Sequence, residues 1–165
     1  MEVFPETEVL HAVSHHALPL SRLEFVWSDE LGSHFTEEEK QDRWALLVAP
    51  IGSDGVSIDR EGDGPAPIQA DVALWATVLS PNSTVSRDMP SSEGERKAYL
   101  QVVQTSGFNQ GTARGAHVRA QVGTQSVEMR EGDGTFVYAA PKEELRVTNL
   151  GNSVAEVLLF DVDLN

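Results

Sequence analysis

The sequence of 165 residues contains no cysteine and no long apolar run; the longest extends only from Trp44 to Pro50. Without cysteine, disulfides, thiolate metal ligands and a cysteine nucleophile are excluded. A membrane-spanning helix needs about 20 consecutive apolar residues, far more than this run supplies. The first residues, Met1 to Glu6, lack the basic and apolar segments of a signal peptide. We therefore expect no membrane association and a reducing location, cytoplasmic or nuclear.

Basic residues are also scarce. Lysine and arginine together number 12 against 26 acidic residues, which gives a net charge of −14. Proteins that bind nucleic acid need clustered cations to displace the counterions of the phosphate backbone, so we expect no nucleic-acid partner. The acidity is interpreted as a means of keeping the protein soluble. An acidic surface that docks a basic regulatory partner is the alternative.

The motifs of several large enzyme classes are missing. The sequence contains no Gly-x-Ser-x-Gly, no Walker loop, no dinucleotide-binding fingerprint and no His-Glu-x-x-His. Chemistry that uses two carboxylates, as in glycosidases, is neither supported nor excluded. The residues therefore leave open whether the protein is an enzyme.

Short alternating segments dominate the pattern and predict an all-β fold. Within 21–27, for example, Leu23, Phe25 and Trp27 share one parity while Arg22 and Glu24 share the other. Gly, Pro, Asn and Asp punctuate the segments, which is typical of a sandwich or barrel. The predicted strands are 21–27, 44–49, 72–79, 97–104, 116–121, 135–138, 145–148 and 154–161.

One helix is predicted at 36–43. Thr36 followed by Glu39 forms a capping box, and acidic residues in the first turn suit the helix dipole.

The pentapeptide Arg-Glu-Gly-Asp-Gly occurs at 60–64 and again at 130–134. Because Gly-Asp-Gly supplies the positive φ angles of tight reversals, both copies are interpreted as turns rather than as marks of duplicated half-domains.

Two stretches resemble the conserved motifs of cupins. The segment from Gly132 to Tyr138 is similar to the start of the second motif, and the segment from Leu79 to Val103 is similar to the first. The resemblance implies metal-binding histidines near Asp88 and Pro90 in the first motif and near Glu143 in the second, but none of these places holds a histidine here. The glutamate of the first motif falls near Glu95. An all-carboxylate remnant could hold a hard cation weakly, or these residues are solvated loop charges.

Several blocks occur in the order seen in the C-terminal domains of the pirin family. This resemblance implies a cupin double-stranded β-helix, or jelly-roll sandwich, with one short helix. Members of the family carry two cupin domains; some act as quercetinases with a metal in the first domain, and others are nuclear partners of transcription factors. We therefore expect 1–43 to be a remnant of an N-terminal cupin and 44–165 to be the C-terminal cupin. The blocks are 45–50, 99–104, 132–134 and 157–162.

A cavity between the strands is the expected ligand site, since small barrels can enclose one small molecule. Trp75 projects from the strand 72–79, and Tyr99 and Gln101 share one face of the strand 97–104. Aromatic bodies with polar tips suit an aromatic ligand such as a flavonoid or polyketide. Arg87 and Tyr138 complete the predicted ligand-binding set. The alternative is that these aromatic residues only pack the core.

Metal ligands are sought among the histidines near the start of the chain. His11 lies in a segment, Val9 to Val13, that resembles the last His-x-Glu metal segment of the family's N-terminal cupin, but Val13 replaces the glutamate. His15 and His16 are further candidates, although Pro19 and the following strand favour an extended path that separates them from His11. We expect no cofactor; iron, copper, nickel or manganese is the alternative.

These observations predict a pirin-like cupin that binds a small, aromatic molecule without a complete metal site. A metal-dependent quercetinase-type dioxygenase and a metal-free lyase or isomerase remain the enzymatic alternatives. A homodimer is also expected, with the apolar parity of Leu23, Phe25 and Trp27 near the contact, because exposed apolar strands are association sites.

We expect purified protein to contain well under one equivalent of iron, copper, nickel or manganese. A chelator should lower the melting temperature little, because a metal bound only to the native state would stabilise it and its removal would show. Elemental analysis of untagged protein and melting curves with chelator check both points. Stoichiometric metal that disappears in His11→Ala would instead support the dioxygenase alternative.

Overall fold

The structure is a computed structural model that describes residues 35–58, 64–89, 96–104, 115–140 and 142–162. In this part of the chain, ten strands follow one four-residue helix, and no helix is long and apolar enough to cross a membrane. The elements are α1 (Glu37–Lys40), β1 (Ala45–Pro50), β2 (Ala66–Ile68), β3 (Val72–Leu79), β4 (Thr84–Asp88), β5 (Arg96–Val102), β6 (His117–Val122), β7 (Gln125–Arg130), β8 (Gly134–Ala139), β9 (Glu144–Asn149) and β10 (Ala155–Val162).

The strands form two sheets. The larger has the order β2-β1-β3-β10-β5-β8 and the smaller the order β4-β9-β6-β7. Neighbouring strands are antiparallel, apart from the parallel pair β1 and β2. β3 and β10 pair over their full length, from Ala155 opposite Leu79 to Val162 opposite Val72. The predicted all-β sandwich with one short helix is confirmed.

The main core lies between the two sheets and follows from strand alternation. In β5, Ala98, Leu100 and Val102 face the core, and in β10, Val157 and Leu159 do the same. Full burial of each such aliphatic side chain contributes about 1.5–3 kcal/mol. A second, smaller cluster lies on the other face of the larger sheet. It contains Leu47, Leu74, Ala76 and Leu158, with Phe35 packed against it.

Every predicted strand that falls on described residues forms within two residues of its predicted bounds. The predicted strand 21–27 lies outside the described residues. Three strands were missed: β2 is short and contains Pro67, while β4 and β7 are mostly polar. Polar strands give no apolar alternation, so the periodicity could not reveal them.

The helix is shorter than predicted. Its capping box is present, with Thr36 accepting a hydrogen bond from the Glu39 backbone, but α1 ends at Lys40 and not at Arg43. Asp42 adopts a positive φ of 52°, and its N–H donates to the Val78 carbonyl oxygen at 2.9 Å. The chain therefore leaves the helix to meet the edge of β3.

The second pentapeptide forms the β7–β8 turn, with Gly132 at φ 86°. Of the first pentapeptide, only Gly64 is described.

Asn149 ties the end of β9 to two neighbouring loops. Its buried amide nitrogen donates to the carbonyl oxygens of Leu79 at 3.0 Å, Ser80 at 3.2 Å and Ser153 at 2.9 Å. Its Oδ1 accepts from the Gly151 N–H at 2.9 Å. The side chain thus satisfies backbone groups that would otherwise be buried without partners.

We expect Asn149→Ala to lower the free energy of unfolding by about 2–3 kcal/mol, because it leaves buried backbone groups unsatisfied. Thr148→Ala is the matched control on the same strand. It removes only the exposed hydroxyl contact with Thr84 and should cost less than about 1 kcal/mol. Urea unfolding of the three proteins checks this. Equal losses in both variants would contradict the assigned role of the Asn149 network.

Candidate functional site

Three side chains meet at one end of the sandwich, between the sheets. Trp75 on β3 and Asp161 on β10 occupy the same inward-facing parity as Leu79 and Leu159, and Arg87 reaches them from β4 in the opposite sheet. The guanidinium carbon of Arg87 lies 3.6 Å from the centroid of the Trp75 ring. Its Nη2 lies 3.9 Å from Oδ2 of Asp161. This arrangement is the Trp75–Arg87–Asp161 mouth.

Electrostatics explains why the three groups belong together. Asp161 is only 1% exposed, and a buried carboxylate is costly unless a cation lies near it. Arg87 supplies that charge and at the same time places its planar guanidinium on the indole face, where a cation is attracted to the ring. The mouth is therefore held by one cation shared between an anion and an aromatic ring.

A cavity of about 320 Å³ opens at this mouth. Besides the three residues, its wall includes aliphatic groups and the exposed carboxylates of Asp54 and Asp71. Carboxylates therefore outnumber cations around it. The remaining lining residues are Leu46, Ala49, Pro50, Ser53 and Ala73.

The indole N–H of Trp75 is buried, and no described residue accepts a hydrogen bond from it. A buried tryptophan N–H usually has a partner. Trp44 shares this condition, but it does not line the cavity. Because almost none of this nitrogen is accessible, Trp75 contributes to the cavity wall through other atoms.

The structure divides the predicted ligand-binding set between two faces of the larger sheet. Trp75 and Arg87 lie together in the mouth, whereas Tyr99, Gln101 and Tyr138 lie on the outer face of the sheet. There the Tyr99 hydroxyl donates to Oε1 of Gln101 at 3.1 Å. Tyr99 covers Gly134, where a Cβ atom would overlap the tyrosine hydroxyl.

Two of the places implied for metal ligands, Asp88 and Glu143, fall on described residues. Asp88 is exposed on β4, and Glu143 is exposed in a turn, where its Oε2 accepts from the Ala140 N–H at 2.8 Å. The inward positions beside them are held by Arg87, Met89 and Leu145. Pro90, Glu95, His11, His15 and His16 all lie outside the described residues. Within the part of the chain that is described, no three His, Cys, Asp or Glu side chains gather as a metal site.

His117 is the one histidine among the described residues, and it belongs to a surface cluster. Its Nε2 lies 3.0 Å from Glu128, which also accepts from Arg119. The hydrogen bonds from Arg119, and then from His117, lower the pKa of the Glu128 carboxyl. This cluster stabilises the pairing of β6 with β7 and lies far along the smaller sheet from β4.

The model of the family described as "Quercetinase C-terminal cupin domain" matches residues 56–162. The chain belongs to this family of cupin domains. The predicted resemblance to the C-terminal cupin of pirin-type proteins is thereby confirmed. The match falls within the predicted domain 44–165, while the boundary at residue 44 stays a prediction. A search of curated proteins finds no match.

Solved structures share the fold of this cupin domain. YhhW from Escherichia coli is 19% identical with a TM-score of 0.50, covering 74% of this chain and 39% of its own. YhaK from Escherichia coli is 17% identical with a TM-score of 0.50, covering 73% of this chain and 41% of its own. The chain thus spans about two fifths of the length of these structures.

A further structure shows bacterial pirin YhhW from Escherichia coli in complex with nickel(II), at 19% identity, a TM-score of 0.47 and coverage of 72% of this chain and 38% of its own.

A second buried charge pair lies under α1, on the outer face of the larger sheet. Lys40 is 1% exposed and its Nζ lies 3.8 Å from Oε1 of Glu156, itself 6% exposed. Burial raises the pKa of Glu156 to about 7; Lys40 lowers it by less, and Glu37 adds to the rise. Because the folded-state pKa lies above the ordinary 4.5, folding favours the protonated carboxyl.

This pair predicts a dependence of stability on pH. The protonated Glu156 contributes about 3 kcal/mol to the free energy of unfolding. This contribution is complete below about pH 4.5 and is lost as the pH rises through about 7. We therefore expect the unfolding free energy to fall between pH 5 and 8, and Glu156→Gln to flatten that slope. Urea unfolding across this range measures it. Glu144→Gln, which alters an exposed carboxyl of lowered pKa, is the control and should keep the wild-type slope. The same slope in Glu156→Gln and wild type would contradict the assignment.

Proposed function

We propose that this cupin domain binds a small, neutral, hydroxylated aromatic molecule at the Trp75–Arg87–Asp161 mouth. The observation that carries the proposal is the guanidinium of Arg87 stacked at 3.6 Å on Trp75, beside a cavity of about 320 Å³. Cavities of this size lie at the lower end of those that hold small ligands. A flavonoid or a polyketide belongs to the ligand class in question.

The stacked pair supports an aromatic ligand. A guanidinium is planar and weakly hydrated, so it attracts aromatic faces as well as carboxylates. The guanidinium lies on one face of the indole, so the two groups form a stack at the cavity wall. A planar ring can extend this stack without the ordering of flexible side chains, because the Asp161 contact already restrains Arg87.

The charges around the cavity support a neutral ligand that carries hydroxyl groups. Asp54 and Asp71 lie on the cavity wall as hydrogen-bond acceptors, and hydroxyl groups can donate to them. Among the described residues that line the cavity there are three carboxylates and one guanidinium, which disfavours an anionic ligand.

Catalysis remains the second possibility for this site. A quercetinase-type dioxygenase reaction would depend on metal ligands such as His11, His15 and His16, which lie outside the described residues. A metal-free lyase or isomerase reaction would use the mouth itself, where the carboxyl of Asp161 lies beside Arg87. The described residues give the stronger support to binding, since stacking and hydrogen bonding need no further group.

The test is isothermal titration calorimetry of the full chain with quercetin as the probe. We expect saturable binding that is weakened about tenfold or more by Arg87→Gln, which removes the planar cation, and less by Trp75→Phe, which removes one N–H donor and keeps a ring. Circular dichroism and melting curves establish that each variant is folded.

Tyr138→Ser is the matched control, since it removes an aromatic residue from the predicted set on the outer face of the sheet. Its affinity for quercetin should equal that of the wild type. Loss of binding in Tyr138→Ser with normal binding in Arg87→Gln would place the ligand on the outer face and refute the proposal, as would an absence of saturable binding by the wild type.

A further inference from the structure

The outer face of the larger sheet carries an aromatic surface formed by Tyr99, Phe136, Tyr138 and Phe160. The ring of Tyr99 contacts Phe136 edge-on, with centroids 5.2 Å apart, and lies 6.5 Å from Phe160. Phe136 and Tyr138 are 6.5 Å apart. Phe136 is 64% exposed and Tyr138 is 54% exposed. Exposed aromatic groups in one continuous patch mark an interaction surface.

The two most exposed members of this aromatic surface lie on β8, which is the end strand of the larger sheet among the described residues. Its sequence, Gly-Thr-Phe-Val-Tyr-Ala, contains no charge and no proline. Edge strands are usually protected from association by charged residues, proline or bulges. None of these devices occurs within β8, so its outer edge is suited to pairing with another strand.

The charge distribution favours a second copy of this acidic chain as the occupant. The groove along the aromatic surface is lined by Lys97 and apolar or aromatic residues, without a carboxylate. Two copies of net charge −14 repel each other over most of their surface. They can approach most closely through a patch that carries no negative charge.

We propose that two copies of the chain associate by antiparallel pairing of β8 with β8, centred on Val137. In antiparallel strands, the side chains of two directly opposed residues lie on the same face of the sheet. The aromatic groups of both copies therefore stay on the outer face only if even-numbered residues of β8 oppose even-numbered residues of the second copy. Centred on Val137, the pairing opposes Phe136 with Tyr138 of the second copy, and two-fold symmetry repeats this aromatic pair.

The charged residues that flank β8 in one copy are complementary in sign to those of the second copy in the same register. Glu131 and Asp133 lie before the strand and Lys142 lies after it. Antiparallel pairing brings Lys142 of each copy towards the acidic turn of the other. Glu143, the next residue, accepts a hydrogen bond from the Ala140 N–H, as Asp133 accepts from the Arg130 N–H and Glu131 from the Ala116 N–H. The lysine at each end adds a positive charge beside carboxylates held by their own chain, which supports the aromatic contact at the centre.

Sedimentation velocity of the full chain over a concentration series tests the proposal. We expect a concentration-dependent dimer in the wild type and a monomer in the double variant Phe136→Glu with Tyr138→Glu, because opposed like charges disfavour pairing. Val154→Glu, a matched change at an exposed apolar residue away from β8, should leave the dimer intact. If the double variant fails to fold, the milder change Tyr138→Ser takes its place. It should raise the dissociation constant of the dimer about tenfold.

Hydrogen exchange identifies what covers β8. In the proposed dimer, amide protection of residues 135–139 rises with protein concentration in the wild type and not in the double variant. A wild type that stays monomeric at high micromolar concentration overturns the proposal, and so does a double variant that still dimerises. Protection of β8 that is independent of concentration also overturns it, since another segment of the same chain would then occupy the edge.

Discussion

The burial of Asp161 in the inward row of β10 is the constraint on which the candidate site depends. β10 lies between β3 and β5, and the residues before Asp161 in that row are the aliphatic groups that fill the space between the sheets. A carboxylate at the end of such a row needs a cation beside it. Arg87 comes from the smaller sheet, so the ion pair joins the two layers and fixes the guanidinium against Trp75.

The sequence predicted the strands that alternate clearly, because alternation records which side chains meet the core. It also grouped Tyr99 with Gln101, and Ala98 with Leu100, on opposite faces of β5, which the structure confirms. The sequence assigned Tyr99 and Gln101 to the same ligand site as Trp75, and the structure places them on the other face of the larger sheet. The apolar face lies against the smaller sheet, and a face that carries Tyr99 and Gln101 is the one that a sandwich turns outwards. This rule could have separated Tyr99 from Trp75 before the structure was known.

The rest of the site depended on information that local sequence does not contain. Asp161 and Arg87 are far apart in the chain, and only the order of strands in both sheets brings them together. β4 was missed because Val85 is the one apolar residue in Thr84–Asp88. Without that strand, the inward parity of Arg87 and Met89 was hidden.

The larger sheet separates two surfaces that can act independently. The Trp75–Arg87–Asp161 mouth lies on its inner side, and the aromatic surface around Tyr99 and Phe136 lies on its outer side. Residues on the two sides share no described contact, and substitutions at well-separated sites usually have additive effects. Ligand binding at the mouth and association through β8 should therefore be separable by mutation. A ligand that altered the dimer constant would require coupling through β10 and β5, the strands that carry side chains to both faces, and Leu159 and Phe160 are the adjacent residues through which such coupling would pass.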